Sequence, residues 1–128
     1  MGAAGKESAA QRFASGVAIV EGGSGGIGQA ICRALAEAGS DVALTYNRNR
    51  AGAETAAVAV RDAGRKAEIV QVDLTDESAV ADFVARTAED FGGVHTAIYA
   101  AGPYINMRHI SRLEPKLFRE TVATDVFG

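Results

Sequence analysis

Five glycines lie within residues 22–28, directly after the short apolar run at residues 17–20. The residues that follow the turn are apolar at spacings of three and four, so the sequence predicts a strand, a glycine turn and a helix in succession. Glycines let the chain turn tightly and keep side chains away from a ligand. The N–H groups and the dipole of the first helical turn attract an anion. We therefore expect this turn to bind the phosphates of a nucleotide cofactor.

Two glycine spacings overlap in the turn. Gly23, Gly25 and Gly28 satisfy G-x-G-x-x-G, whereas Gly22, Gly26 and Gly28 satisfy G-x-x-x-G-x-G. Inside a βαβ unit, either spacing is typical of a dinucleotide-binding turn. The structural alternative is a tight strand-to-helix turn that binds no ligand.

The rest of the chain alternates apolar runs with amphipathic segments. The apolar runs lack a polar/apolar alternation, which is typical of parallel strands covered on both faces. With right-handed crossovers, the pattern predicts an α/β fold: a truncated, Rossmann-type doubly wound parallel sheet with strand order 3-2-1-4. Strands are predicted at residues 17–20, 41–46, 67–72 and 94–100, and helices at 26–38, 51–63, from 75 or 76 to 91, and from 115 onward.

The first predicted helix has a regular apolar pattern. Spacings of three and four predict that five residues form one buried stripe, and Gly39 is placed to end the helix. The stripe consists of Ile27, Ile31, Ala34, Leu35 and Ala38.

Composition limits the classes of function. The chain has 128 residues, enough for one domain, and a net charge of −3 that argues against nucleic-acid binding. The only cysteine, Cys32, leaves no disulfide framework and no cysteine zinc site, which fits a cytoplasmic protein. We expect no membrane span, because no apolar run approaches 18 residues. Residues 1–12 are expected to be a flexible tail that precedes a partial NAD(P)-binding domain at residues 13–128.

From residue 13 to residue 128 the chain resembles the N-terminal, cofactor-binding half of a short-chain dehydrogenase/reductase. The turn of that family is T-G-x-x-x-G-x-G, and Gly22, Gly26 and Gly28 match its glycines. Asp73-Leu74 match the pair that contacts the adenine, and residues 101–102 match the end of the family's N-N-A-G motif. The resemblance implies cofactor contacts at Gly22, Ser24, Gly26, Ile27, Gly28, Asp73, Leu74, Ala100, Ala101 and Gly102.

Three motifs depart from the family pattern, at four positions. Glu21 replaces the threonine of the turn, Tyr99 and Ala100 replace the two asparagines of N-N-A-G, and Asp125 replaces the asparagine of N-x-x-G. A carboxylate at position 21 is expected to repel the pyrophosphate unless it points away or is paired. Asp125 is the one candidate catalytic residue that this pattern leaves in the chain.

The segment after the second predicted strand indicates which nucleotide binds. NAD enzymes place an acidic residue about 20 residues beyond the turn to hold the ribose hydroxyls. Here the segment is Asn47-Arg48-Asn49-Arg50, which holds two arginines and no carboxylate. A guanidinium suits a 2′-phosphate, so NADP(H) is favoured over NAD(H), with Arg48 as the first choice and Asn47 or Arg50 assisting. The alternative is a solvated surface loop.

Hydride transfer in the family depends on a serine, a tyrosine and a lysine in the C-terminal half. The Tyr-x-x-x-Lys spacing is absent, since Tyr46, Tyr99 and Tyr104 are followed four residues on by Arg50, Pro103 and Arg108. The resemblance implies a small carbonyl or alcohol substrate, 3-oxoacyl compounds included, and homo-oligomeric full-length relatives. We expect the chain as printed to be an inactive fragment.

Several other residues receive structural interpretations. His95 and His109 are expected in loop or surface positions, and Cys32 as an inert, partly buried thiol. Met107 and the segment 103–111 are expected to lie toward a substrate pocket, because they follow a strand at the ligand edge of the sheet.

Two other function classes remain open. Glu21-x-Gly23-x-Gly25 resembles the acidic-x-G-x-G motif of S-adenosylmethionine-dependent methyltransferases, although these need an acidic residue after the second strand. The chain also fits a non-catalytic nucleotide-binding fragment.

Overall fold

The computed structural model describes residues 12–102 and 109–127. Strands and helices alternate along the chain, as the apolar runs predict. The expected tail at residues 1–12 lies almost wholly outside the described residues, and so does most of the segment 103–111, with Met107. The strands are β1 (Val17–Glu21), β2 (Asp41–Tyr46), β3 (Ala67–Gln71) and β4 (Val94–Tyr99), and the helices are α1 (Gly26–Glu37), α2 (Arg50–Asp62), α3 (Glu77–Phe91) and α4 (Pro115–Val126). A single 3-10 turn, Ile110–Arg112, precedes α4.

The four strands form one parallel sheet in the order β3-β2-β1-β4, which confirms the predicted topology. Val17 pairs with Asp41 of β2 and with Val94 of β4, so β1 lies between two neighbours. Because all strands are parallel, their carboxyl ends meet at one edge of the sheet. In open α/β sheets this is the edge where ligands bind.

Hydrophobic clusters cover both faces of the sheet. One cluster joins Val20 and Leu44 to α1 and α2, and the other joins Ile19 to Phe83 of α3. The central strands are nearly inaccessible to solvent, whereas β3 and β4, at the two sheet edges, keep most of their side chains half-buried or exposed. The sheet is thus best packed where β1 and β2 support the glycine turn.

The predicted buried stripe of α1 is wrong in part. Ile27 is 75% exposed and Ala34 is exposed, while the buried residues of the helix are Gly28, Cys32 and Ala36. Small residues on that face let α1 approach the sheet and α2 closely. Ile31 and Leu35 are half-buried and pack against the cluster that contains Val20 and Leu44.

The helix ends follow local signals in the sequence. Asp76 caps α3 by accepting a hydrogen bond from the N–H of Ala79 at 3.1 Å, as one of the two predicted caps. Gly39 follows the end of α1 with φ of 102°, as expected for its closing residue. Among the helices of the described residues, none is both long and apolar enough to cross a bilayer.

Candidate functional site

The glycine turn is anchored to β2. The N–H of Gly22 donates to the hydroxyl of Thr45 at 3.1 Å, and the N–H of Gly23 donates to the Thr45 carbonyl at 3.0 Å. The Thr45 side chain is buried, so no solvent competes for these bonds. The first residues of the turn are therefore held in place by the neighbouring strand.

A second anchor joins the turn to the start of α2. The carbonyl of Ser24 accepts hydrogen bonds from Gln29 Nε2 at 2.8 Å and from Asn49 Nδ2 at 3.1 Å. Asn49 Oδ1 also caps α2 by accepting from the N–H of Gly52 at 2.9 Å. The sequence analysis predicted a role for Asn47 in this segment but did not predict that Asn49 anchors the turn. The one local signal for Asn49 was its position directly before a helical pattern.

Glycine occupies positions of the turn for two different structural reasons. A Cβ on Gly28 would lie 2.2 Å from the Gly22 carbonyl oxygen, and a Cβ on Gly22 would lie 2.4 Å from the Cα of Ala101. These two positions are glycine because the fold leaves no room for a side chain. Among the described residues, a Cβ on Gly26 would meet nothing within 4 Å. Packing against this part of the chain does not require glycine at Gly26, so the position has room for a ligand.

The amino end of α1 differs from those of α2 and α3. Its N-cap residue, Gly25, makes no side-chain capping bond, and the first turn holds no acidic residue. In contrast, Asn49 and Asp76 cap the two following helices. The first N–H groups of α1 thus have no capping side chain, and the positive end of the helix dipole is not offset. This arrangement fits a phosphate or pyrophosphate group.

The segment after β2 is exposed at the same edge. Asn47, Arg48 and Arg50 are all exposed, and the Asn47 carbonyl accepts from Gln71 Nε2 at 2.8 Å. Arg50 lies 3.6 Å from Glu54 in an ion pair within α2. Over residues 12–102 and 109–127, no ion pair involves Arg48. Of the two arginines in this segment, Arg48 is thus the one that forms no ion pair with another described residue.

Asp73 and Leu74 follow β3 and have different surroundings. The N–H and hydroxyl of Thr75 donate to Asp73 Oδ1 at 2.9 and 2.6 Å. These two bonds lower the pKa of the exposed Asp73 carboxyl, and the bond from the hydroxyl contributes more than the bond from the N–H. Leu74 is half-buried against the cluster beneath α3. The Asp73 carboxylate retains one oxygen, Oδ2, for a ligand donor.

The end of β4 closes the site from the other side. The N–H of Ala100 donates to the Glu21 carbonyl at 2.8 Å, and Ala101 packs directly against Gly22. Gly102 follows in an exposed position. The structure therefore brings the glycine turn and residues 100–102 together, although they lie far apart in the sequence.

The three departures from the family pattern also converge at this edge. Glu21 and Tyr99 are partners across β1 and β4, and the Tyr99 hydroxyl donates to the Thr124 carbonyl of α4. Asp125 follows directly, and its Oδ1 lies 3.9 Å from the position of a Cβ on Gly102. Sequence reasoning treated these residues separately.

The charges of Glu21 and Asp125 affect the pKa of Tyr99. Partial burial raises the pKa of Tyr99, and the carboxylates of Glu21 and Asp125 raise it further. Burial also raises the pKa of Glu21. Tyr99 consequently remains a protonated hydrogen-bond donor, with two carboxylates on its flanks.

The remaining candidate residues lie away from the turn or are inaccessible. Cys32 is fully buried, and burial raises its pKa to about 11, so its thiol is a packing group. His95 lies within β4, not in a loop, and its Nε2 is 3.2 Å from the buried Ser40 hydroxyl near the amino end of the strands. His109 is exposed beside Ser111. In the described part of the chain, no group of three or more His, Cys, Asp or Glu side chains is arranged to hold a metal ion.

Comparison with known proteins assigns the architecture to one family. A sequence profile described as short chain dehydrogenase matches residues 16–128. The cis-4-hydroxycyclohexanecarboxylate dehydrogenase of Sinomonas cyclohexanicum is 36% identical over 118 residues, which are 92% of this chain and 47% of that protein. The profile match decides against the methyltransferase alternative.

Two solved structures resemble the fold. A short chain dehydrogenase from Burkholderia cenocepacia in complex with NADP has 34% identity and a TM-score of 0.81, over 91% of this chain and 47% of that one. An NAD+-bound xylitol dehydrogenase has 30% identity and a TM-score of 0.83, over 91% of this chain and 45% of that one. The chain thus spans about half the length of the relatives that it matches.

Proposed function

This chain belongs to the short-chain dehydrogenase family, and from that premise we propose that residues 13–128 are the cofactor-binding part of an oxidoreductase. The observation that carries the proposal is the open face of the glycine turn. Gly26 has room for a ligand, and the first N–H groups of α1 have no capping side chain. A pyrophosphate supplies the negative charge and the acceptors that this face lacks.

The cofactor in this proposal is a nicotinamide dinucleotide. Gly22, Gly26 and Gly28, with the backbone of Ser24 and Ile27, hold the pyrophosphate. Asp73 and Leu74 contact the adenine, and the backbone of residues 100–102 borders the other half of the dinucleotide. When bound, the cofactor accepts or donates a hydride, and the substrate is a small carbonyl or alcohol compound.

We also propose a preference for NADP(H) over NAD(H). The support is the chemistry after β2, where Arg48 and Arg50 stand and where residues 46–50 contain no carboxylate. Arg48 is exposed and outside any ion pair of the described residues, so a 2′-phosphate would gain a charge-assisted hydrogen bond there. Asn47 assists from the same segment.

Isothermal titration calorimetry of the 128-residue chain tests both statements. NADP+ is expected to bind roughly tenfold or more tightly than NAD+, and Arg48→Ala to remove most of that difference. Arg86→Ala, which removes an exposed arginine of α3, is the matched control and leaves both affinities unchanged. Equal affinity of the original chain for the two cofactors contradicts the role of Arg48. Absence of binding by either contradicts the nucleotide-binding function.

Cofactor binding without turnover is the state that we propose for the 128 residues themselves. They contain no Tyr-x-x-x-Lys pair, and the candidate Asp125 stands beside Gly102 without such a partner. Complete catalysis requires the proton-transfer groups that the family carries further along the chain. NADPH absorbance with a panel of small ketones and an acyl-thioester ketone is expected to stay at background. By family resemblance, the proposed location is the cytoplasm, and the full-length relatives are proposed to be homo-oligomers.

A further inference from the structure

Charged side chains of opposite sign stand on the two sides of the glycine turn. On the β2 side, Arg48 and Arg50 are exposed. On the β4 side, Glu21 ends β1 and Asp125 stands near the end of α4 beside Gly102. Both groups lie at the carboxyl edge of the sheet, so a ligand across the turn meets cations at one end and carboxylates at the other.

Tyr99 connects the two segments that carry these carboxylates. Its backbone is in register with Glu21, and its hydroxyl donates to the Thr124 carbonyl, which fixes the residue directly before Asp125. The side chain of Tyr99 is 42% exposed and Asp125 is exposed, so part of the group is accessible to solvent. Burial, and after it the carboxylates of Glu21 and Asp125, raise the pKa of the Tyr99 phenol, in agreement with the strand register and with the position of Asp125 beside Gly102.

A dinucleotide that spans the switch point between β1 and β4 has one nucleoside on each side of the turn. A 2′-phosphate on the β2 side leaves the nicotinamide on the β4 side, near the two carboxylates. The oxidised nicotinamide ring carries a positive charge, and the reduced ring is neutral. We propose that Glu21 and Asp125 are specificity-determining residues that make this site favour the oxidised cofactor over the reduced one. The inference rests on the proposed nucleotide-binding function.

The test measures the ratio of the dissociation constants for NADPH and NADP+ by calorimetry at pH 8 with the full 128-residue chain. Glu21→Gln removes one charge at nearly constant shape and is expected to reduce that ratio about three- to tenfold. Asp125→Asn is expected to reduce it in the same direction. Glu89→Gln, on the exposed surface of α3, is the control and leaves the ratio unchanged. Repeating the titrations with NADH and NAD+ separates this effect from that of the 2′-phosphate.

The possible outcomes distinguish a failure of this inference from a failure of the proposed nucleotide-binding function. A ratio that falls in both carboxylate variants, but not in the control, supports the inference. Ratios unchanged in both variants while both cofactor forms still bind overturn it and leave the nucleotide-binding function intact. Failure of the original chain to bind any cofactor form overturns both. If Glu21→Gln fails to fold by circular dichroism, Glu21→Thr and Asp125→Asn decide the matter by the same ratio, which a merely structural role for Glu21 would not change.

Discussion

The two sides of the glycine turn differ in how they are stabilised. On the β2 side, the turn is bonded to a buried threonine and to a helix cap, and the neighbouring core residues are almost inaccessible to solvent. On the β4 side, a half-exposed tyrosine joins an edge strand to α4, whose described side chains are at most half-buried. The anchors of the glycine turn thus lie on the well-packed side, whereas the departures from the family pattern concentrate on the exposed side.

The largest effect on stability is expected inside the turn, where Gly28 is required by packing and Gly26 is not. Gly28→Ala places a Cβ 2.2 Å from the Gly22 carbonyl oxygen and is expected to reduce the free energy of unfolding by about 2–4 kcal/mol. Gly26→Ala meets no atom of residues 12–102 or 109–127 within 4 Å and is expected to change that free energy by less than about 1 kcal/mol. Instead, Gly26→Ala is expected to weaken the affinity for NADP+ about tenfold. Urea denaturation and calorimetry measure the two quantities, and equal stability losses in both variants would contradict the distinction.

A matched pair of hydroxyl deletions compares the two sides directly. Thr45→Val leaves the Gly22 N–H without its acceptor in a buried environment and is expected to cost about 1–3 kcal/mol of unfolding free energy. Tyr99→Phe releases a Thr124 carbonyl that water can reach and is expected to cost only about 0.5–1 kcal/mol. Chemical denaturation of both variants checks the order, and a larger loss in Tyr99→Phe would reverse the comparison.

The smallest effect concerns Glu21 and depends on pH. Burial raises its pKa in the folded state, so the folded chain holds the proton more tightly than the unfolded chain. The resulting destabilisation is absent below the ordinary carboxyl pKa and develops as pH rises through the raised value. Glu21→Gln is therefore expected to be more stable than the original chain at pH 7, by less than about 1 kcal/mol because solvent screens this partly exposed group. Thermal unfolding at pH 4 and pH 7 measures the difference, and a larger gain at pH 4 would contradict the sign.

Local signals explain what the sequence could predict. Apolar runs without alternation identified the parallel strands, and Gly39 and Asp76 marked helix boundaries through their own chemistry. The strand order followed from the doubly wound arrangement, in which the crossovers are right-handed. The glycine turn was recognised from its spacing together with the predicted strand before it and the predicted helix after it, which adjoin it in the sequence.

Contacts between distant segments explain what was missed. The buried face of α1 is set by the close approach of the turn backbone to Gly28 and by the packing of Cys32 against the sheet and α2, and apolar periodicity does not indicate either contact. Asn49 reaches back to Ser24, a partner that no local pattern specifies. The grouping of Glu21 with Tyr99 likewise depends on the register between β1 and β4.

An amide titration tests the central claim, that the glycine turn holds a nicotinamide dinucleotide, most directly. Two-dimensional ¹H–¹⁵N NMR spectra of the 128-residue chain, recorded with increasing NADP+, report on each backbone N–H at once. We expect the largest shifts for Gly22, Gly26 and Gly28 and for Ala101, and no shift for Ser40 and His95 at the opposite edge of the sheet. Saturating NADP+ that leaves the turn amides unshifted, or that shifts only the opposite edge, would contradict it.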